Sequence, residues 1–146
     1  MSDRLDDFVN TLQDEIFDDT LNIYGEKAYQ RWRNPLYMDS MQDPDGYGRI
    51  TGPCGDTMEI YLKFKEGRVR DASFQTDGCG PSLICGSFAA ELALGKNTDE
   101  LKDITNETIL KVVGGLPEED QHCALLAANT LHEAINHYIK KIDKAR

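Results

Sequence analysis

A chain of 146 residues with 40% apolar content is one ordinary domain, long enough to bury a core. Its 26 carboxylates against 16 lysines and arginines give a formal charge of −10, which argues against nucleic acid and anionic membrane surfaces as partners. No apolar run approaches the roughly 20 residues that cross a bilayer, and the acidic opening MSDRLDDFVN is unlike a signal or transit peptide, so the expected location is cytoplasmic.

In chain order, residues 4–32 carry Leu5, Phe8, Leu12, Ile16, Phe17, Leu21 and Tyr24 at helical spacing. Gly25 is expected to break this stretch into a long helix and a short one, so residues 1–33 read as N-terminal helices. Residues 34–49, with two prolines, two glycines and no period, read as a mobile connection to a core spanning 50–146. Met58, Ile60, Leu62 and Phe64 alternate with Glu59, Tyr61, Lys63 and Lys65, the period of a half-buried strand. Glu66-Gly67 makes a tight turn, Val69, Ala72, Phe74 and Thr76 return, and YGRIT (47–51) supplies a third strand. The period then becomes helical, with Pro81 at a first helical position and Gly95 past the end. Thr98 and Thr105 are expected to cap two short helices, the second closed by Gly114-Gly115. Pro117 is expected to open a final long helix with Leu125, Leu131, Ile135, Tyr138, Ile139 and Ile142 on one face. The expected class is α+β: N-terminal helices, a three-stranded antiparallel sheet, and helices packed on one face ending in a long C-terminal helix.

Four cysteines in a reducing compartment are not expected to pair, and their positions contain no Cys-x-x-Cys. Cys85, at helical spacing from Phe88, Ala89 and Leu92, reads as core, and Asp77 as a solvated turn residue. The other three cysteines sit at junctions: Cys54 in TGPCGDT, Cys79 in TDGCGPS, and Cys123 where the last helix starts. Flanking glycines let backbone approach closely and release a thiol from packing. Asp56 lies two residues after Cys54, and His122 immediately precedes Cys123. Three thiolates, an imidazole and a carboxylate at three loop-to-element junctions, with Gly55 and Gly78 giving the freedom to close, compose a candidate soft-metal site: Cys54, Asp56, Cys79, His122 and Cys123. His132 and His137, in the middle of a helix, read as structural.

GPCGD, DGCGPS and LPEEDQHC, in this order and spacing, resemble the IscU/NifU N-terminal family of iron–sulfur cluster scaffold proteins, over about residues 34–142. The resemblance implies that Cys54, Cys79 and Cys123 bind a transient 2Fe–2S or 4Fe–4S cluster, with Asp56 and His122 beside them. It implies that a cysteine desulfurase delivers persulfide sulfur with Cys123 as acceptor, that Asp56 keeps the cluster labile, and that zinc occupies the site when iron is absent. Recipient apoproteins would take the finished cluster, from a monomer or a cluster-bridged dimer, and the chain would not be an enzyme. Two departures from the family pattern stand out. LPEED replaces the Leu-Pro-Pro-Val-Lys that accompanies a dedicated Hsp70-type chaperone, which weakens the case for that partner, and Cys85 adds a fourth thiol. Two other classes use the same residues: a zinc-binding sulfur carrier relaying persulfide through Cys123, and a zinc-stabilised interaction domain without turnover. A Cys123/His122 hydrolase ranks last, because neighbours on a helix do not easily form a nucleophile–base pair.

Overall fold

In β2 (Thr57–Lys65), Met58, Ile60 and Leu62 have no exposed surface while Glu59 and Lys63 on the opposite face are partly exposed, so the period-2 pattern builds a half-buried strand. The computed structural model describes residues 25–53, 55–78 and 80–145. Besides β2, they form helix α1 (25–33), strands β1 (Gly46–Thr51) and β3 (Arg68–Thr76), helices α2 (Gly80–Ala93), α3 (Thr98–Lys102) and α4 (Asn106–Val113), a 3-10 turn at Glu118–Asp120, and helix α5 (His122–Ala145). The sheet is antiparallel in the order β1-β2-β3, and the helices cover one face of it. The longer helix expected before Gly25 lies outside the described residues; Gly25 itself has φ +83°.

Glu66 and Gly67 both have positive φ, 56° and 79°, the two left-handed positions of a hairpin turn whose twist matches its strands. The returning strand hides an irregularity. Val69 and Ala72 both point into the core although an odd number of steps separates them, because Lys63 pairs with Asp71 and Phe64 with Val69, leaving Arg70 bulged out. Tyr61, expected on the solvent face, is buried there beneath Tyr47, with ring centroids 5.3 Å apart.

Helix α5 lies directly on β1. A Cβ at Gly46 or Gly48 would meet α5 backbone oxygen at 2.5 or 2.3 Å, so the two glycines set how closely helix and strand approach. The Tyr47 N–H donates to His137 Nδ1 at 2.9 Å, and His132 Nε2 lies 2.7 Å from the Ile104 carbonyl, to which it must donate. Helix α2 packs on β3 through Gly86, whose Cβ would strike the Phe74 ring at 2.5 Å. Ten of the 14 α2 positions are buried and none is fully exposed, so it shows almost no polar face.

Four expectations shift. The 34–49 connection is shorter, since residues 46–49 are in β1, and it is anchored: Phe74 N–H donates to Tyr37 O at 2.9 Å and Asp39 N–H to Phe74 O at 3.0 Å. The cap of α3 is Asn97 rather than Thr98, because only Asn97 stands three residues before an acidic side chain. Its amide oxygen accepts the Glu100 N–H at 2.9 Å while Glu100 accepts the Asn97 N–H at 3.1 Å. Thr105 does cap α4, and Gly114 closes it with φ 87°. Pro117 does not open the long helix: its ψ of 147° is extended, a 3-10 turn follows, and α5 begins at His122. Leu125 and Ile142 are 47% and 37% exposed; the face against the core runs through Ala124, Ala127, Leu131, Ala134 and Ile135.

Candidate functional site

Three junctions meet at one end of the sheet. The β1–β2 turn is closed by Gly52 N–H to Asp56 O at 2.8 Å and Gly55 N–H to Gly52 O at 3.0 Å, and the closure needs the left-handed φ of 86° at Gly55. The β3–α2 loop is strapped beside it. Asp77 Oδ1 accepts the Thr57 N–H at 2.7 Å and Thr76 donates its hydroxyl to Thr57 O at 2.7 Å. Thr76 Oγ1 in turn accepts the Gly78 N–H at 3.0 Å. Asp77, expected to be merely solvated, therefore ties two of the motifs together. Gly78 allows the closest approach: a Cβ there would fall 3.0 Å from Asp56 Oδ2 and 2.6 Å from Ser82 Oγ.

The third junction is the start of α5. Cys123 has no exposed surface and belongs to the core cluster, which corrects the expectation of a junction thiol released from packing. The reason is the direction of α5: its first turn faces α2, where Ser82 Oγ lies 3.5 Å from Cys123 Sγ. Ser82, also fully buried, reaches Asp56 Oδ2 at 3.3 Å on its other side. His122 is exposed, yet its Nε2 comes within 3.6 Å of Cys123 Sγ. Its Nδ1 lies 2.9 Å from the Glu119 carbonyl, which can only accept. Nδ1 therefore carries a proton, and in the neutral ring it is Nε2 that holds the lone pair facing the sulfur.

The sequence-predicted set is thus placed as follows. Asp56 and Cys123 both approach Ser82, His122 lies beside Cys123, and Cys54 and Cys79 lie outside the described residues. Of their described neighbours, Gly55 and Asp56 belong to the β1–β2 turn, Gly78 to the β3–α2 loop, and Gly80 begins α2. Among the described residues no three His, Cys, Asp or Glu side chains form a metal-binding group by themselves. Cys85, one turn beyond Ser82, is buried in α2 as expected.

Sequence reasoning passed over two contributors. Ser82 stands three residues after Cys79, the spacing of one helical face, and that was the available signal. Trp32, on α1, abuts Gly80: a Cβ there would be 3.1 Å from the indole Cδ1 and Nε1. Helix α1 is held in place by Arg31, which donates to Ser87 Oγ at 3.0 Å, pairs with Glu91 at 2.9 Å and lies 3.9 Å from the Phe88 ring centre. No local pattern could reveal these contacts, because 56 and 60 residues separate the polar partners. Around the corner, on the uncovered sheet face, Thr57 and Asp77 also line a shallow depression with Arg49, Glu59, Gln75 and Thr76.

A three-stranded antiparallel sheet with helices on one face and a long C-terminal helix defines the class as an α+β domain. The chain belongs to the NifU-like N terminal domain family, whose model matches residues 23–145. It is 39% identical over 128 residues to an iron-sulfur cluster assembly scaffold protein, IscU 1, of Archaeoglobus fulgidus, with 85% of this chain and 84% of the relative covered. With the iron-sulfur cluster assembly scaffold protein IscU of Aquifex aeolicus it shares 33% identity over 121 residues, covering 81% of this chain and 77% of the relative. The fold is similar to the crystal structure of a nitrogen-fixing NifU-like protein (N-terminal) from Brucella abortus, with TM-score 0.65, 21% identity, and coverage of 84% of this chain and 98% of that one. Among the described residues, no helix is long and apolar enough to cross a membrane.

Proposed function

We propose that this chain is a scaffold on which an iron–sulfur cluster is assembled and then released. Cys54, Cys79 and Cys123 would ligate the cluster, Asp56 and His122 would complete the set, and Cys123 would accept persulfide sulfur from a cysteine desulfurase. The cluster is cargo, passed on to recipient apoproteins, so the chain acts by binding and release and not by turnover. The observation that carries this reading is the approach of an Asp56 oxygen and the Cys123 sulfur to one buried hydroxyl, with the His122 Nε2 beside that sulfur. A protein that keeps its cluster commonly uses four thiolates. A carboxylate oxygen matches thiophilic iron poorly, and its bond is the one that yields first in exchange. The full burial of Cys123 means that sulfur delivery requires its surroundings to open.

Anaerobic reconstitution of the purified chain with ferrous iron, sulfide and thiol tests this. The expected product is a brown protein with sulfide-to-iron charge-transfer absorption that transfers its cluster to an apo-ferredoxin. A chain that stays colourless while holding zinc tightly would be a zinc-dependent sulfur carrier instead. One that takes up neither iron nor sulfur and unfolds on chelation would be a zinc-stabilised interaction domain.

A further inference from the structure

Ser82 occupies a position that the ligand set alone does not explain. It stands on the first turn of α2, directly after the Cys79 loop, and contacts Asp56 of the β1–β2 turn and Cys123 of α5. One side chain therefore touches two of the site's junctions and is carried on the third. Its hydroxyl has one proton to donate and two acceptors before it. The 3.5 Å to sulfur is an ordinary length for so large an acceptor. The 3.3 Å to Asp56 Oδ2 exceeds the roughly 2.7–2.8 Å usual for O–H···O but stays within hydrogen-bonding reach of the stronger acceptor, so one hydroxyl serves both partners through a small rotation. The side chain is fully buried, and only a glycine at position 78 makes room for it there, since a Cβ would lie 2.6 Å from Oγ.

We propose that Ser82 is a positioning residue that couples Asp56 to Cys123, so that the exchangeable oxygen ligand and the sulfur acceptor engage the cargo as a unit. This rests on the scaffold reading of the site. Partners that orient metal ligands from behind usually change affinity about 10–100-fold when removed. The test is titration of the full-length chain with Co(II) alone under anaerobic conditions, reading both affinity and absorption, for wild type, Ser82→Ala, Asp56→Ala and the double variant. Alanine is the better helix former, so Ser82→Ala is expected to fold, which far-UV circular dichroism checks. The expected result is about a tenfold weaker affinity for Ser82→Ala, with altered ligand-field bands. In the Asp56→Ala background the same change should cost no more than about twofold, the sign of two residues acting through one contact. Wild-type affinity and spectrum in Ser82→Ala would overturn the proposal. So would an equal loss in both backgrounds, which would make Ser82 independent of Asp56. A wild-type chain showing no thiolate-to-cobalt charge-transfer band would instead overturn the scaffold reading beneath it.

Discussion

Gly48→Ala tests the contact that places α5, and with it His122 and Cys123, at the site. A Cβ at position 48 would lie 2.3 Å from the Thr130 carbonyl oxygen, 2.7 Å from the Ala134 nitrogen and 3.1 Å from Glu133 Cβ. An ordinary contact begins near 3.4 Å, so α5 would have to retreat from β1 by about an ångström. Two of the three atoms are helix backbone, and no rotamer change relieves them. Overpacking in a close-packed core typically costs about 1–3 kcal/mol, and a clash with backbone belongs at the upper end, about 3 kcal/mol. In a domain of this size each kcal/mol corresponds to about 3–4 °C, so the melting temperature should fall by about 10 °C. Gly52→Ala is the control: its nearest neighbour would be a Leu126 methyl at 3.6 Å, and the change should stay within about 0.5 kcal/mol. Urea and thermal unfolding followed by circular dichroism measure both, and Zn²⁺ competition should show weaker binding by Gly48→Ala alone. If Gly48→Ala unfolds within 1 kcal/mol of Gly52→Ala, the close seating of α5 on β1 is not what positions the helix.

Asp56→Ala should slow cluster transfer to an apo-acceptor while leaving assembly in place; a variant that assembles nothing would show Asp56 to be an essential ligand instead of the exchangeable one. Trp32 is the sole tryptophan and abuts Gly80 beside the Cys79 loop, so cluster loading should quench its fluorescence, and unchanged emission would argue for a cargo site elsewhere. The Asn97 backbone N–H, with Arg68, holds the Glu100 carboxyl below its ordinary 4.5. A depressed folded value contributes stability above the unfolded pKa and loses it as pH falls through the folded one. The stability gap between wild type and Glu100→Gln should therefore be present at pH 7 and close below pH 4.5, and a gap independent of pH in thermal melts would remove Glu100 from the acid limb.

What local chemistry encodes was legible before any coordinates. Alternation at Met58, Ile60 and Leu62 and the Glu66-Gly67 turn specify the hairpin, because side-chain direction in a strand and left-handed turn geometry are properties of a few adjacent residues. The three motifs likewise marked Asp56, His122 and Cys123 as candidate ligands, since metal-ligating residue types at element junctions are a local signal. Asn97 was misjudged by one residue because the cap is selected by Glu100, three positions on, and not by the identity of the cap alone.

Other features belong to the tertiary structure. The burial of Cys123, the bridge through Ser82, the strap from Asp77 to Thr57 and the wall formed by Trp32 all join residues distant along the chain. Whether they meet depends on how α2 and α5 seat on the sheet, which the absence of a side chain at Gly46, Gly48 and Gly86 allows. A glycine carries no sign of the surface that will press against it. Composition and period could therefore determine which elements form and which residues carry chemistry, whereas the depth, partners and coupling of those residues were decided by packing between elements.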